Sequence, residues 1–335
     1  ERFGGEPGLL DKGFDVLHLA AKRGLLLHCR VLLQHPAFTA AAERRRGCTA
    51  LHHAANESVL ALLLENDCLA RAINCLDNNG CSCLHYASSE GTCRLILQQP
   101  EFDAVNVADN CGQTALHWAR NAAVSAAIAN HSDFNAVNLA DQTGKTALHL
   151  AAHSQAIVQV LLAAQADASA ADGRGRTALH LAGTADVCLA LFESAVIDVN
   201  AVDNAGRTVL HASRNGEVAR AILAHPKFHS VDLQDKYHGL TAIALAAQEN
   251  RAEVVLAILQ ESFVEPETAK ALAEVGNLPD EVQLKLLEAA QLGNPDDARQ
   301  LDDTESVSFS TRWCRFFSPW HRSIQTSTGH TALLR

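Results

Sequence analysis

Along most of this 335-residue chain the apolar residues come in two short clusters, and the pair recurs with polar, turn-forming stretches between. In residues 139–162, LADQTGKTALHLAAHSQAIVQVLL, the first cluster holds Leu150, Ala151 and Ala152 and the second holds Val160, Leu161 and Leu162. Apolar positions at helical spacing predict a pair of short helices in each unit. Alanine lets the helices of one face approach closely, while Leu, Ile and Val fill the layer between units. The expected fold is therefore all-α, a stack of helix pairs.

Each unit opens on one hexapeptide frame. It reads GFDVLH (13–18), GCTALH (47–52), GCSCLH (80–85), GQTALH (112–117), GKTALH (144–149), GRTALH (175–180) and GRTVLH (206–211), with an eighth copy, GLTAIA (239–244), that carries Ala244 in place of histidine. The histidines His18, His52, His85, His117, His149, His180 and His211 follow one another at 34, 33, 32, 32, 31 and 31 residues. An aspartate precedes most frames, as Asp77, Asp109, Asp141, Asp172, Asp203 and Asp235. The glycine allows the positive φ of a tight turn, and the Thr hydroxyl can cap the helix that follows.

This frame and its period resemble the ankyrin repeat over roughly residues 10–262. The resemblance implies a solenoid of helix pairs with hairpin-like finger tips beside a concave face. It also implies that the motif histidine ties neighbouring repeats together, and that the module binds a protein.

The copies depart from the family in length. From the motif histidine, or Ala244, to the last apolar residue of the second helix they span 15, 12, 12, 11, 13, 12, 12 and 15 positions. The six inner copies thus lack about one helical turn, and shorter helices with longer outer connections are expected. Such shortened copies resemble the ankyrin proteins that intracellular bacteria deliver into host cells. Beyond the array, residues 263–301 are expected to add C-terminal helices at 266–275 and 279–292, the second opening a degenerate ankyrin-like pair. Residues 302–335 form an aromatic and basic tail that ends TGHTALLR, where Leu334 replaces the histidine; this reads as a degenerate or truncated further copy, and the natural protein is expected to continue past Arg335.

Composition narrows the function. A formal net charge of −11 argues against general affinity for nucleic acid. No run approaches the ~18 apolar residues of a membrane span, and the N-terminus lacks the pattern of a signal peptide. Ten irregularly spaced cysteines suit a reducing compartment, which places the chain in a cytoplasm, or in a host cytoplasm after secretion. The chain has no methionine, which points to an excised fragment or to methionines lost from the sequence as written.

Candidate chemistry mostly dissolves into the repeat. Gly144-Lys145-Thr146 ends like a phosphate loop, but Leu139 stands where the loop's first glycine belongs, and no buried strand precedes it. Cys75, Cys81, Cys83 and His85 lie close together without paired C-x-x-C spacing, so no metal site is expected. No nucleophile motif appears, and the expectation is a chain without enzymatic activity or cofactor.

The remaining signal is charge. Lys145, Arg174, Arg176, Arg207 and Lys236 fall on four successive finger tips, a basic stripe suited to an acidic protein surface. Trp118, Arg120 and Arg214, with Lys22 and Arg23, fall where the concave face is expected. The leading reading is a protein interaction module or scaffold. Two alternatives stand beside it: the targeting arm of a larger enzyme or transporter, and an adaptor recruited to a membrane by the tail 306–323, with Trp313, Phe316, Phe317 and Trp320.

Overall fold

The computed structural model describes residues 16–35, 47–262, 264–274 and 278–291. The described residues hold eight helix pairs in the expected order, and the aromatic tail, with Trp313, Phe316, Phe317 and Trp320, lies outside them. The inner helices run Val16–Lys22, Ala50–His53, Cys83–Tyr86, Ala115–Trp118, Ala147–Leu150, Ala178–Leu181, Val209–Ala212 and Ala242–Gln248. The outer ones run Leu26–Gln34, Glu57–Leu64, Glu90–Leu97, Ala122–Ala129, Gln155–Ala163, Ala185–Phe192, Gly216–Leu223 and Ala252–Glu261. Two further helices, Pro266–Ala273 and Asp280–Gln291, pack on each other, and the second reaches the last outer helix.

The shortening falls on the inner helices, six of which have only four residues, against seven in the first and eighth copies. In five of the six, all but Ala147–Leu150, its cause lies four residues after the motif histidine. Asn56, Ser89, Asn121, Thr184 and Asn215 stand there, and each side chain accepts the N–H of Val59, Thr92, Val124, Val187 or Val218. Such a residue starts the outer helix early, so the chain must turn extended after a single inner turn. Ala54, Ala87, Ala119 and Ser213 accordingly carry β-region angles. The eighth copy has Gln248 at this place, and its inner helix continues to it. Part of the lost length returns in the outer connections as the short helices Asp67–Ala70 and Ala104–Asn106.

Three hydrogen-bond ladders bind one repeat to the next. In the first, from His52 to His211, Nδ1 of the motif histidine accepts the backbone N–H of its own Thr or Ser, as His149 does from Thr146 at 3.2 Å. The ring proton therefore sits on Nε2, which donates to a carbonyl of the next repeat. His52 reaches Cys81, His85 reaches Gln113, His117 reaches Lys145, His149 reaches Arg176, His180 reaches Arg207 and His211 reaches Leu240, at 2.9–3.2 Å. The Thr hydroxyl bonds to the ring as well, at 2.9 Å for Thr146. Where Ala244 replaces the histidine, the Thr241 hydroxyl instead accepts the Ala244 N–H.

The second ladder runs along the fingers. Asn110, Gln142, Gly173, Asn204 and Lys236 each donate a backbone N–H to the preceding tip, at 2.7–2.9 Å. The third lies on the outer side and consists of asparagines three residues before the aspartates. Asn74, Asn106, Asn138 and Asn200 each accept a backbone N–H and donate to a carbonyl in the following repeat. Buried leucine, isoleucine and valine fill the space between the outer helices, including Leu60, Ile96, Ile128, Leu161, Leu191 and Ile222.

Candidate functional site

At each finger base the aspartate organises the turn. Asp141 Oδ1 accepts N–H bonds from Thr143 and Lys145, and Asp172 Oδ1 does the same for Arg174 and Arg176. Burial alone would raise the Asp141 carboxyl, but bonds from the Thr143 hydroxyl, the Gln113 amide and these N–H groups pull it down to about 2. Gly144 completes the turn at φ +79°, with Gly173 N so near that a Cβ would stand 2.5 Å from it.

The second oxygen of these carboxylates decides which basic tips are free. Arg176 lays Nε and Nη2 on Asp172 Oδ2 at 3.0 and 2.8 Å, against a carboxylate only 1% exposed. Arg207 Nε sits 3.6 Å from the buried Asp235 Oδ2, which His238 also contacts at 3.2 Å. Lys236 bends its ammonium towards the Asn204 carbonyl at 3.4 Å. Arg174 is exposed, and neither it nor Lys145 has a side-chain partner among the described residues; the Lys145 backbone, by contrast, is bonded at both N–H and C=O. The five-residue stripe is therefore not a uniform set of solvent-facing charges. Arg176 and Arg207 are spent mainly within the fold.

On the inner face the position directly after the motif histidine forms a row. His53, Tyr86 and Trp118 follow each other there, with His53 to Tyr86 at 6.5 Å and Tyr86 to Trp118 at 5.7 Å between ring centroids. His18 meets His53 edge-on at 5.8 Å. Tyr86 donates its hydroxyl to Asp77 Oδ2 at 2.7 Å, and Trp118 donates its indole N–H to Asp109 Oδ2 at 3.2 Å. The same aspartates that shape the fingers thus fix the rings of the inner face. Trp118 keeps 36% of its surface exposed, and Arg120 and Arg214 are exposed nearby in their own repeats. Burial, followed by the neighbouring His18 and His52, pushes His53 down to about 4, so it is neutral near pH 7.

Sequence reading placed Trp118, Arg120 and Arg214 on this face and missed His53 and Tyr86. Their signal was available, since they stand 33 and 32 residues apart in the register of Trp118. Between Trp118 and the next inner turn opens a groove of about 370 Å³, with Arg120 and His153 at its edge. Among the described residues no group of three or more His, Cys, Asp or Glu could hold a metal ion. No helix among them is long and apolar enough to cross a membrane.

Two family models match the chain, "Ankyrin repeat" over residues 46–78 and "Ankyrin repeats (3 copies)" over residues 120–203. These are ankyrin repeats. The other copies carry the same hexapeptide frame, and the histidine ladder runs unbroken from His52 to Leu240. No curated protein matches the chain. Among solved structures, the crystal structure of the ankyrin repeat domain of Bcl-3, a unique member of the IkappaB protein family, is 21% identical, covering 73% of this chain and 99% of that one at a TM-score of 0.47.

Proposed function

We propose that this chain is a protein-binding module whose partner lies against the inner face and the free finger tips, and presents an acidic surface to them. The observation that carries this reading is the locked row His53, Tyr86, Trp118, held by ring contacts and by the Asp77 and Asp109 carboxylates. Rings that are already immobile lose little entropy when a partner covers them. Trp and Arg side by side, part-exposed on a rigid scaffold, are the residues that anchor interfaces. Arg120, Arg174 and Arg214 supply positive charge within a chain of net charge −11, which favours a partner with carboxylates at those points.

The known use of ankyrin repeats favours binding without chemistry. Ten cysteines at irregular spacing suit a reducing cytoplasm. Delivery into a host cell has the shortened inner helices as its support.

The test is affinity capture with three baits: the wild-type chain, the inner-face variant Arg120→Glu/Arg214→Glu, and the tip variant Arg174→Glu/Lys236→Glu. A partner retained by wild type and weakened by the inner-face variant supports the reading. Retention by all three baits with unchanged salt dependence would overturn it.

A further inference from the structure

The groove beside Trp118 has a floor and an edge of different chemistry. Its floor is apolar, formed by Trp118, Leu150 and Ile157, from two successive inner turns and the outer helix Gln155–Ala163. Its polar wall is largely satisfied from within. Gln113 gives its amide to Asp141, and His117 gives its Nε2 proton to the Lys145 carbonyl. The two carboxylates nearest this wall, Asp109 and Asp141, are buried and bonded to Trp118 and Gln113, so none is presented to the groove.

Arg120 and His153 stand apart from this. Both line the groove, both are exposed, and neither has a hydrogen bond or ion pair among the described residues. The inner helix stops at Trp118, so Arg120 follows its end, whereas the helix Ala242–Gln248 of the eighth copy continues through this register with the buried Ala246 and Ala247. About 370 Å³ accommodates one or two side chains, and is too small for a folded surface.

Building on the proposed binding role, we infer that this groove takes a short linear segment of the partner, in which an aromatic or branched aliphatic residue is followed or preceded by Asp or Glu. The apolar side chain would cover Trp118, Leu150 and Ile157, and the carboxylate would meet the guanidinium of Arg120, with His153 as a second donor. An Arg-carboxylate pair at the rim of an apolar recess supplies specificity, while the covered indole supplies most of the affinity.

The probe is a random heptapeptide library displayed on phage and panned on the whole chain. The expected enrichment is a pairing of an acidic with an aromatic or aliphatic residue. Synthetic versions of the selected peptides should lose about tenfold in affinity to Arg120→Glu and to Trp118→Ala. They should lose little to Arg220→Glu, an equal charge reversal at an exposed position of the outer helix Gly216–Leu223. Arg120 is exposed, so its reversal leaves the fold intact, and thermal melting checks Trp118→Ala; should that variant melt early, Trp118→Phe, which keeps an apolar floor, is predicted to bind more tightly than Arg120→Glu. Failure to enrich any peptide, enrichment without acidic residues, or peptides indifferent to Arg120→Glu would overturn the inference. If the captured partner still depends on the inner face after such a result, the binding module stands and only the groove is excluded.

Discussion

His149 Nε2 lies 2.9 Å from the backbone carbonyl of Arg176 in the next repeat, and its Nδ1 accepts the N–H of Thr146 at 3.2 Å. One neutral ring therefore closes its own turn and fastens its neighbour. Replacing it by alanine leaves the buried Thr146 N–H without its partner and takes one of two bonds from the Arg176 carbonyl, which keeps the Asp172 N–H, at a cost of about 2 kcal/mol. Lys145, two residues before Ala147 in the same finger, should behave oppositely. Lys145→Ala keeps every backbone bond and is expected to change stability by less than about 0.5 kcal/mol. Urea unfolding of the two variants measures the contrast.

Acid should unfold the array in two stages. His52, His85, His117, His149, His180 and His211 all have pKa values held below 6.5, chiefly by burial. Above about pH 6.5 these rings are neutral in both states, and their bonds contribute in full. As pH falls from there through the lowered folded values, the unfolded chain takes up protons that the fold resists, so stability declines. Asp141 and Asp235, both held at about 2 against the opposing effect of burial, add a second loss. Their contribution is complete above the ordinary carboxylate value near ~4 and disappears as pH falls through about 2. Urea midpoints between pH 8 and 2 should show both, and His149→Asn should lessen the first slope.

Charge reversal at Arg176 and at Arg174 should separate folding from binding. Arg176 forks onto a carboxylate that is almost fully buried, so Arg176→Glu would bring two acids together and is expected to destabilise by about 3 kcal/mol or more. Arg174→Glu touches only solvent and should leave the melting temperature unchanged. Thermal melts of the two variants decide this, and a partner lost by Arg176→Glu alone would report misfolding.

The hexapeptide frame and its spacing made the stack legible, because glycine, threonine and histidine each meet a local geometric demand that repeats along the chain. Even the shortened inner helices could be counted. What a linear reading could not supply was the second oxygen of each aspartate. Asp172 takes the side chain of its own finger, Arg176, whereas Asp141 takes Gln113 from the finger before. Which neighbour wins depends on side-chain reach across a turn, and so the basic stripe looked more uniform than it is. The asparagines 74, 106, 138 and 200 and the pair His53 and Tyr86 were in register and readable, but the histidine frame drew attention from them.

Gly144→Ala should be costly for two reasons that add. Its φ of +79° strains an L-residue, and the new methyl would meet the Gly173 amide that bonds the two fingers together. A loss of about 2 kcal/mol or more is expected. Hydrogen exchange at the Gly173 and Asn204 amides should quicken first, since local opening there breaks the finger ladder before the core yields.

The most direct test of the binding face is site-specific photo-crosslinking. A benzophenone amino acid placed at Arg120 on the inner face, at Arg174 on a finger tip, and at Leu189, exposed on the outer helix Ala185–Phe192, samples three sides of one scaffold. Adducts to one common partner from position 120, with or without position 174, and none from position 189 are the predicted result. An adduct formed at position 189 while position 120 stays silent would contradict the account.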